Sequence, residues 1–393
     1  MSARSSCAGS SRSLTHLSDF FGGNALANLR DHLLPGLWPL LAAFVVCALF
    51  VPLMIRLAPR IGVIAMPSER HAHSKPTPAL GGLAMFLGFT AAVLFLVPIN
   101  TTVIGLIVAS GLATFLLIID DRSPVRPLVK LGMQVAIAVV AVVVFGDILK
   151  DDKFVISFFG LPGGHVVQLG LLATPVSIFW LLGMQNTVNF LDGADGLAAG
   201  VIFIVAVTLM LAAAGLRGQT QVVQLAGALA GTCAGFLLFN WHPAKIFMGD
   251  SGAHFLGTAL GVISIIGVAK VAVAFALAVP VIALAVPIAD TAWAILRRRR
   301  QKASVASADL LHLHHRLQAF GLDQRQTCFV FYTASALLGA LGLTLFGHGR
   351  ILAVVVVTCV ALTSTVAADL LMHTGWRIPA PFMRRLLGES GSR

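Results

Sequence analysis

Runs of apolar residues, separated by short polar connections, repeat along most of this chain. A helix needs about 20 such residues to cross a bilayer core about 30 Å thick. Runs of that kind fall near 37–58, 79–99, 102–119, 128–146, 166–185, 196–214, 221–239, 253–268, 270–296, 328–346 and 350–372. The pattern predicts an all-α polytopic membrane protein with about eleven transmembrane helices. The weakest division lies between 253–268 and 270–296, where Lys270 is the separating charge and Pro280 and Pro287 could kink one longer span. Neither a soluble domain nor a strong internal repeat stands out. The chain reads as a polar extension over 1–36, one transmembrane domain over 37–372 and a basic tail over 373–393.

Composition sharpens this reading. The 393 residues are 58% hydrophobic and 11% charged, against about 25% charged in a soluble domain. The net charge of +11 therefore reflects Lys and Arg in cytoplasmic loops, and the hydrophobicity excludes a basic nucleic-acid binder. Cys7, Cys47, Cys233, Cys328 and Cys359 are scattered, with neither a disulfide framework nor zinc-type spacing. The first 36 residues lack an apolar core of their own, so a flexible extension is expected there rather than a cleavable signal.

Most of the 27 Lys and Arg fall in the loops after spans one, three, seven and nine and in the C-terminal tail. The positive-inside rule puts that side in the cytoplasm, with the N-terminus outside. The same side carries five polar clusters: Arg70 to Lys75, Asp120 with Asp121, Asn186 to Asp195, Gly249 to Gly252, and His312 to Arg316. Ionisable groups at membrane ends are costly unless used or solvated. Five clusters on one face suggest one composite site.

The stretch NTVNFLDGADGL, 186–197, is the centre of this arrangement. Asn186, Asn189, Asp192 and Asp195 recur every three residues, which on a helix puts them on or near one face. Their glycines let backbone N–H groups approach a ligand. A polar turn between two membrane helices is the plainer reading, but two Asp-Gly pairs in register with two Asn favour function. Asp120 and Asp121 repel each other unless a cation sits nearby, either Mg²⁺ or one of Arg122, Arg126 and Lys130. Lys130 also suits a phosphate contact; snorkelling charges at a helix end are the alternative.

Asp250 sits between Gly249 and Ser251-Gly252 in NWHPAKIFMGDSG. Mg²⁺ usually takes one or two carboxylates plus substrate phosphates, which fits such a turn. Phe247 is either a base-stacking aromatic or an ordinary interfacial one. His312, His314, His315 and Arg316 suit donors to phosphate or sugar oxygens better than zinc, since no Cys accompanies them. Arg70, His71, His73 and Lys75 form another anion-contacting loop, or a basic segment meeting anionic lipid. Carboxylates for Mg²⁺ and cations for phosphates in a membrane setting suggest phosphoryl transfer involving a lipid phosphate. An ion-coupled transporter is the rival of a different class, but its acidic residues would lie near the midplane.

In PSERHAHSKPTPALGG, in Asp120-Asp121 with Lys130, in NTVNFLDGADGLAAG, in FMGDSG and in HLHHRLQAFGLDQRQ, the chain resembles the polyprenyl-phosphate N-acetylhexosamine-1-phosphate transferases. The resemblance spans about residues 60–345. It implies transfer of N-acetylhexosamine-1-phosphate from a UDP-sugar to undecaprenyl phosphate, with UMP released, in the bacterial inner membrane on its cytoplasmic side. It implies Mg²⁺, with Mn²⁺ as a substitute, and often a homodimer. Carried onto matching positions, Asp250 is the principal metal ligand, with Asn189 and Asp192 shaping the site beside the metal and Asp192 a second ligand. Asp120 and Asp121 lie beside the lipid phosphate as base or nucleophile. Asp195 contacts uridine and Phe247 stacks on uracil. Lys75, Lys130, His312, His314, His315 and Arg316 bind phosphates and sugar. The last motif looks like the simple UDP-sugar branch; the muramyl-pentapeptide branch is the near alternative. One departure is Ala65, where many members carry Asp.

Overall fold

The structure, a computed structural model, describes residues 32–66, 76–160, 166–214, 216, 218–267 and 323–344. Among them are nine α-helices: α1 (Leu34–Ile61), α2 (Gly81–Leu96), α3 (Thr101–Arg122), α4 (Pro127–Val139), α5 (Ala173–Leu191), α6 (Leu197–Ala214), α7 (Thr220–Asn240), α8 (Gly249–Ile266) and α9 (Gln324–Thr344). Past Val139, α4 widens into π-helical turns over Val140–Ile148. Seven of these segments are long and apolar enough to cross a membrane, and α2 is a shorter apolar helix. The chain is a multi-pass membrane protein. The candidate spans at 270–296 and 350–372 lie outside the described residues.

Local sequence explains several helix ends. Asn100 caps α3 by accepting from the Val103 N–H at 3.0 Å. Pro35 and Pro127 open α1 and α4, where a missing N–H costs nothing. Gly62 closes α1 in the left-handed conformation, φ 76°. Asp323 and Gln326 form a reciprocal capping box at α9: the Gln326 N–H donates to the Asp323 carboxylate at 2.6 Å, and the Asp323 N–H donates to Gln326 Oε1 at 3.0 Å.

One boundary differs from the sequence expectation. The apolar run at 166–185 does not begin as a helix: Val166–Gln168 pairs with Phe158–Gly160 as an antiparallel hairpin, and Gly170 takes a positive φ of 51°. The helix starts at Ala173 and runs on to Leu191. Asn186 and Asn189 therefore sit on its last turns rather than in a loop.

Close helix contacts come from glycine. In α7, Gly227, Gly231 and Gly235 recur every four residues and face the carbonyl oxygens of Gly36, Leu40 and Phe44 in α1. Without a hydrophobic drive between helices in lipid, such close backbone packing is a main source of association. A Gly231→Leu substitution should overlap the Leu40 backbone and cost about 3 kcal/mol or more. A lowered thermal midpoint in detergent checks this.

The helix that carries Asp250 is central. Every residue of α8 from Ser251 to Ile265 is buried, so the helix is enclosed on all sides within the bundle. It packs against α2, α3, α5 and α7. Gly252 meets Gly82 of α2, and Gly257 lies against the Met184–Gln185 backbone of α5. In contrast, Trp38, Leu41, Val45, Leu49 and Leu53 of α1 are exposed, as expected of a face turned to lipid.

Candidate active site

The ends of α3, α5 and α7 and the starts of α2, α4, α6, α8 and α9 meet at one end of the bundle, and the polar residues gather there. Asp250 occupies the first turn of α8. Its Oδ2 is 2.6 Å from Lys130 Nζ, and its Oδ1 accepts from the Asn189 amide. Lys130 also reaches Asp120 Oδ2 at 3.2 Å. Three residues singled out in sequence from α3, α4 and α5 thus converge on the fourth. The Asp250 side chain keeps 28% of its surface exposed, so a ligand can reach it.

Asp120 and Asp121 are adjacent in sequence but have separate partners. Asp120 is buried at the end of α3, and its Oδ1 accepts from the Val125 N–H at 2.7 Å. Asp121 reaches across to α8. Its two oxygens accept from the N–H groups of Asp250 and Ser251 at 2.6 and 3.0 Å. It supplies, from another helix, the cap that α8 lacks in its own sequence, since Met248 at that position offers no side-chain hydrogen bond. Gly249 makes this approach feasible: its φ is 71°, and a Cβ there would lie 2.6 Å from Asp121 Oδ1.

The segment 186–197 splits at the end of α5. Asn186 and Asn189 point from the helix, towards Gln134 and Asp250. Asp192 follows as the C-terminal cap residue. Burial, and then the charges of Asp250, Asp121 and Asp195, push its carboxyl well above the usual carboxylate range. Asp195 turns elsewhere: its Oδ2 lies 2.8 Å from His242 Nδ1 and accepts from the Ala244 N–H at 3.1 Å. The expected single face therefore ends where the helix ends.

The loop between α7 and α8 is tied down on both sides. Phe247 is half-buried, its N–H donating to Pro78 and its carbonyl accepting from the Gly81 N–H. Asn240 accepts from the Gly196 N–H at 3.0 Å and donates to the Ile246 carbonyl at 2.9 Å. Helix α9 covers the same loops. Tyr332, the sole tyrosine, donates to the Gly196 carbonyl at 2.7 Å, and Arg325 donates to the His242 carbonyl at 3.1 Å.

Several residues at this end had no role in the sequence reading. His254 is wholly buried, with Nε2 at 2.7 Å from Gln134 Nε2 and Nδ1 at 2.7 Å from the Asp250 carbonyl. Gln134 in turn accepts from Asn186 Nδ2 at 3.1 Å. The available signal was spacing: Gln134 and His254 lie four residues after Lys130 and Asp250, and so on the same helix faces. Lys75, His312, His314, His315 and Arg316 lie outside the described residues. The ends of the Lys75 loop are joined by a short ladder, Ala65 opposite Thr77 and Ile64 opposite Pro78, so the position of the missing Asp has a structural role.

Comparison with known proteins agrees with this picture. The description "Glycosyl transferase family 4" matches residues 103–268, which include Asp120, Lys130, Asn189 and Asp250. The chain is 37% identical over 298 residues to a Bacillus subtilis protein named "Probable undecaprenyl-phosphate N-acetylglucosaminyl 1-phosphate transferase", covering 75% of this chain and 81% of that one. It is 32% identical over 340 residues to a decaprenyl-phosphate N-acetylglucosaminephosphotransferase of Mycolicibacterium smegmatis, covering 78% and 82%. It is 30% identical over 287 residues to a phospho-N-acetylmuramoyl-pentapeptide-transferase of Clostridioides difficile, covering 69% and 84%. The protein is thus a membrane-embedded transferase, and it belongs to glycosyl transferase family 4.

Proposed function

We propose that this protein transfers N-acetylhexosamine-1-phosphate from a UDP-sugar to undecaprenyl phosphate and releases UMP. The reaction would run at the cytoplasmic face of a bacterial inner membrane, as the first step of a cell-envelope glycan. The observation that carries the reading is the reachable Asp250 carboxylate at the start of a buried helix, met by Lys130 and Asn189 from two other helices. The names of the more similar relatives favour an N-acetylglucosamine donor over the muramyl-pentapeptide one.

A divalent cation fits this donor set. Asp120, Asp121, Asp192 and Asp250 crowd one helix-end cluster, and Lys130 is the cation that pairs with them among the described residues. Burial first, and then the charges of Asp250, Asp121 and Asp195, raise the Asp192 carboxyl. Among the described residues no three His, Cys, Asp or Glu side chains form a cage, but Mg²⁺ seldom needs one. It keeps its waters and takes one or two carboxylates with substrate phosphates. Asp250 and Asp192 would hold it, and Mn²⁺ would substitute.

The chemistry then follows from the residues. An oxygen of the lipid phosphate attacks the β-phosphorus of the UDP-sugar, the bond from that phosphorus to the bridging oxygen breaks, and UMP leaves. Bound Mg²⁺ would neutralise charge on the diphosphate. Lys130 would offer its ammonium to the same phosphates. Asp120 would set the position of Lys130 and take up any remaining lipid-phosphate proton. Asn189 would orient the Asp250 carboxylate, and Asp121 would hold the turn that presents it. Catalysis of this kind is largely positioning and charge stabilisation. Asp195, Phe247, Lys75, His312, His314, His315 and Arg316 complete the proposed donor site for uridine, phosphates and sugar.

The test is direct. Purified protein should release UMP from one or two members of a panel of UDP-N-acetylhexosamines when undecaprenyl phosphate and Mg²⁺ are present. EDTA should stop the reaction, and Mg²⁺ or Mn²⁺ should restore it. Turnover that persists in EDTA would remove the metal from the account.

A further inference from the structure

Helices α4, α5 and α8 each contribute two residues to the site end, one helical turn apart. The outer set is Lys130, Asn189 and Asp250, joined through the Asp250 carboxylate. The inner set is Gln134, Asn186 and His254. The two sets are parallel layers built from the same three helices.

Hydrogen-bond polarity in the inner layer is determined from one end. The Asp250 carbonyl can only accept, so His254 Nδ1 must donate to it. A neutral ring then leaves Nε2 as an acceptor, and the Gln134 amide donates to it. With its NH₂ turned to His254, Gln134 presents Oε1 to the Asn186 amide at 3.1 Å, and the same NH₂ makes a longer return bond to Asn186 Oδ1 at 3.4 Å. Asn186 uses its other N–H on the Leu182 carbonyl at 2.8 Å. The network thus links α5 through α4 to the backbone of the residue that carries the outer layer. Gln134 and His254 are buried, where a partly broken polar network is costly.

We infer that His254 and Gln134 are positioning residues: with Asn186 they lock α4, α5 and α8 in register, so that Lys130 and Asn189 converge on the Asp250 carboxylate. The inference rests on the reading of Asp250 as the cation-holding group. Residues that orient metal ligands typically contribute about ten- to a hundredfold to metal affinity or activity.

The test compares His254→Leu with the pair His254→Leu plus Gln134→Leu. The single change strands the buried Gln134 amide. The double change leaves an apolar contact, with the Asn186 amide still bonded to Leu182. Replacing both partners of a buried hydrogen bond can be nearly neutral for stability, so the double variant should regain the thermal midpoint that the single variant loses. Its Mn²⁺ affinity, read by electron paramagnetic resonance of free Mn²⁺ without substrate, should stay about tenfold or more below the unaltered protein. Its kcat should fall by a similar factor, with little change in the KM for UDP-N-acetylglucosamine. A double variant that binds Mn²⁺ and turns over normally would overturn the inference and show a purely structural layer. If the unaltered protein binds no Mn²⁺, the metal reading of Asp250 fails. The layer is then judged on kcat alone, where a loss at recovered stability supports it and normal kcat refutes it.

Discussion

Replacing Asp250 by asparagine should abolish turnover while leaving the protein folded. Asparagine keeps the volume of the side chain and one oxygen for the Asn189 amide. It removes the charge and turns an N–H donor towards Lys130, which now sits 2.6 Å from Asp250 Oδ2. Losing one group that stabilises transition-state charge typically costs about a hundred- to a thousandfold in kcat, and the loss here should reach at least that range. The side chain is partly exposed and at the edge of the buried helix, so the thermal midpoint should change little. Turnover and size-exclusion behaviour, measured together, check both halves. A near-normal rate would remove Asp250 from the proposed cation site.

The second large effect separates Asp121 from Asp120. Asp121 accepts two backbone N–H bonds at the start of α8. Asp121→Ala strands both donors, at about 1–3 kcal/mol for each group left buried and unpaired. It should lower thermal stability and activity together, because the turn that presents Asp250 loses its cap. Asp121→Asn retains one acceptor oxygen and should recover part of the stability. Asp120→Asn instead weakens the contact to Lys130 and should reduce kcat with a smaller stability loss. Thermal midpoints and kcat for the three variants decide the matter. An Asp121→Asn protein with full stability and no turnover would make Asp121 a chemical participant rather than a cap.

Much of the architecture was legible because hydropathy marks membrane helices strongly. The runs around α1, α3, α6 and α7 match helices within a few residues. The run at 166–185 was misplaced because a short apolar strand and the start of a helix look alike in composition; Gly170 and the hairpin partner at Phe158–Gly160 separate them. The residues that meet at Asp250 were legible as chemistry-bearing types at helix ends. Their division of labour was not. Nothing in Asp120-Asp121 indicates that one carboxylate stays with Lys130 while the next crosses to cap α8. That depends on how α3 packs against α8, and on Gly249, whose missing Cβ leaves room for the Asp121 carboxylate at the start of α8. The inner layer was missed because Gln134 and His254 lie within apolar runs, where one polar residue ordinarily reads as a satisfied core group.

The partners of the two aspartates also bear on mechanism. Both oxygens of Asp121 are engaged by backbone N–H groups, and those of Asp120 by Val125 and Lys130. Neither is poised to attack a diphosphate. A lipid phosphate needs no such relay, because its second pKa lies near about 6 and it is largely a dianion at neutral pH. Direct attack by lipid is the route these contacts favour over an acyl-phosphate intermediate.

Single-turnover release of UMP from a UDP-N-acetylhexosamine, with protein in excess and with undecaprenyl phosphate either present or withheld, tests this most directly. UMP should appear only with the lipid, in equal amount to the lipid-linked sugar diphosphate. A stoichiometric burst of UMP without lipid, lost in Asp120→Asn or Asp121→Asn, would contradict direct attack and establish a covalent enzyme intermediate.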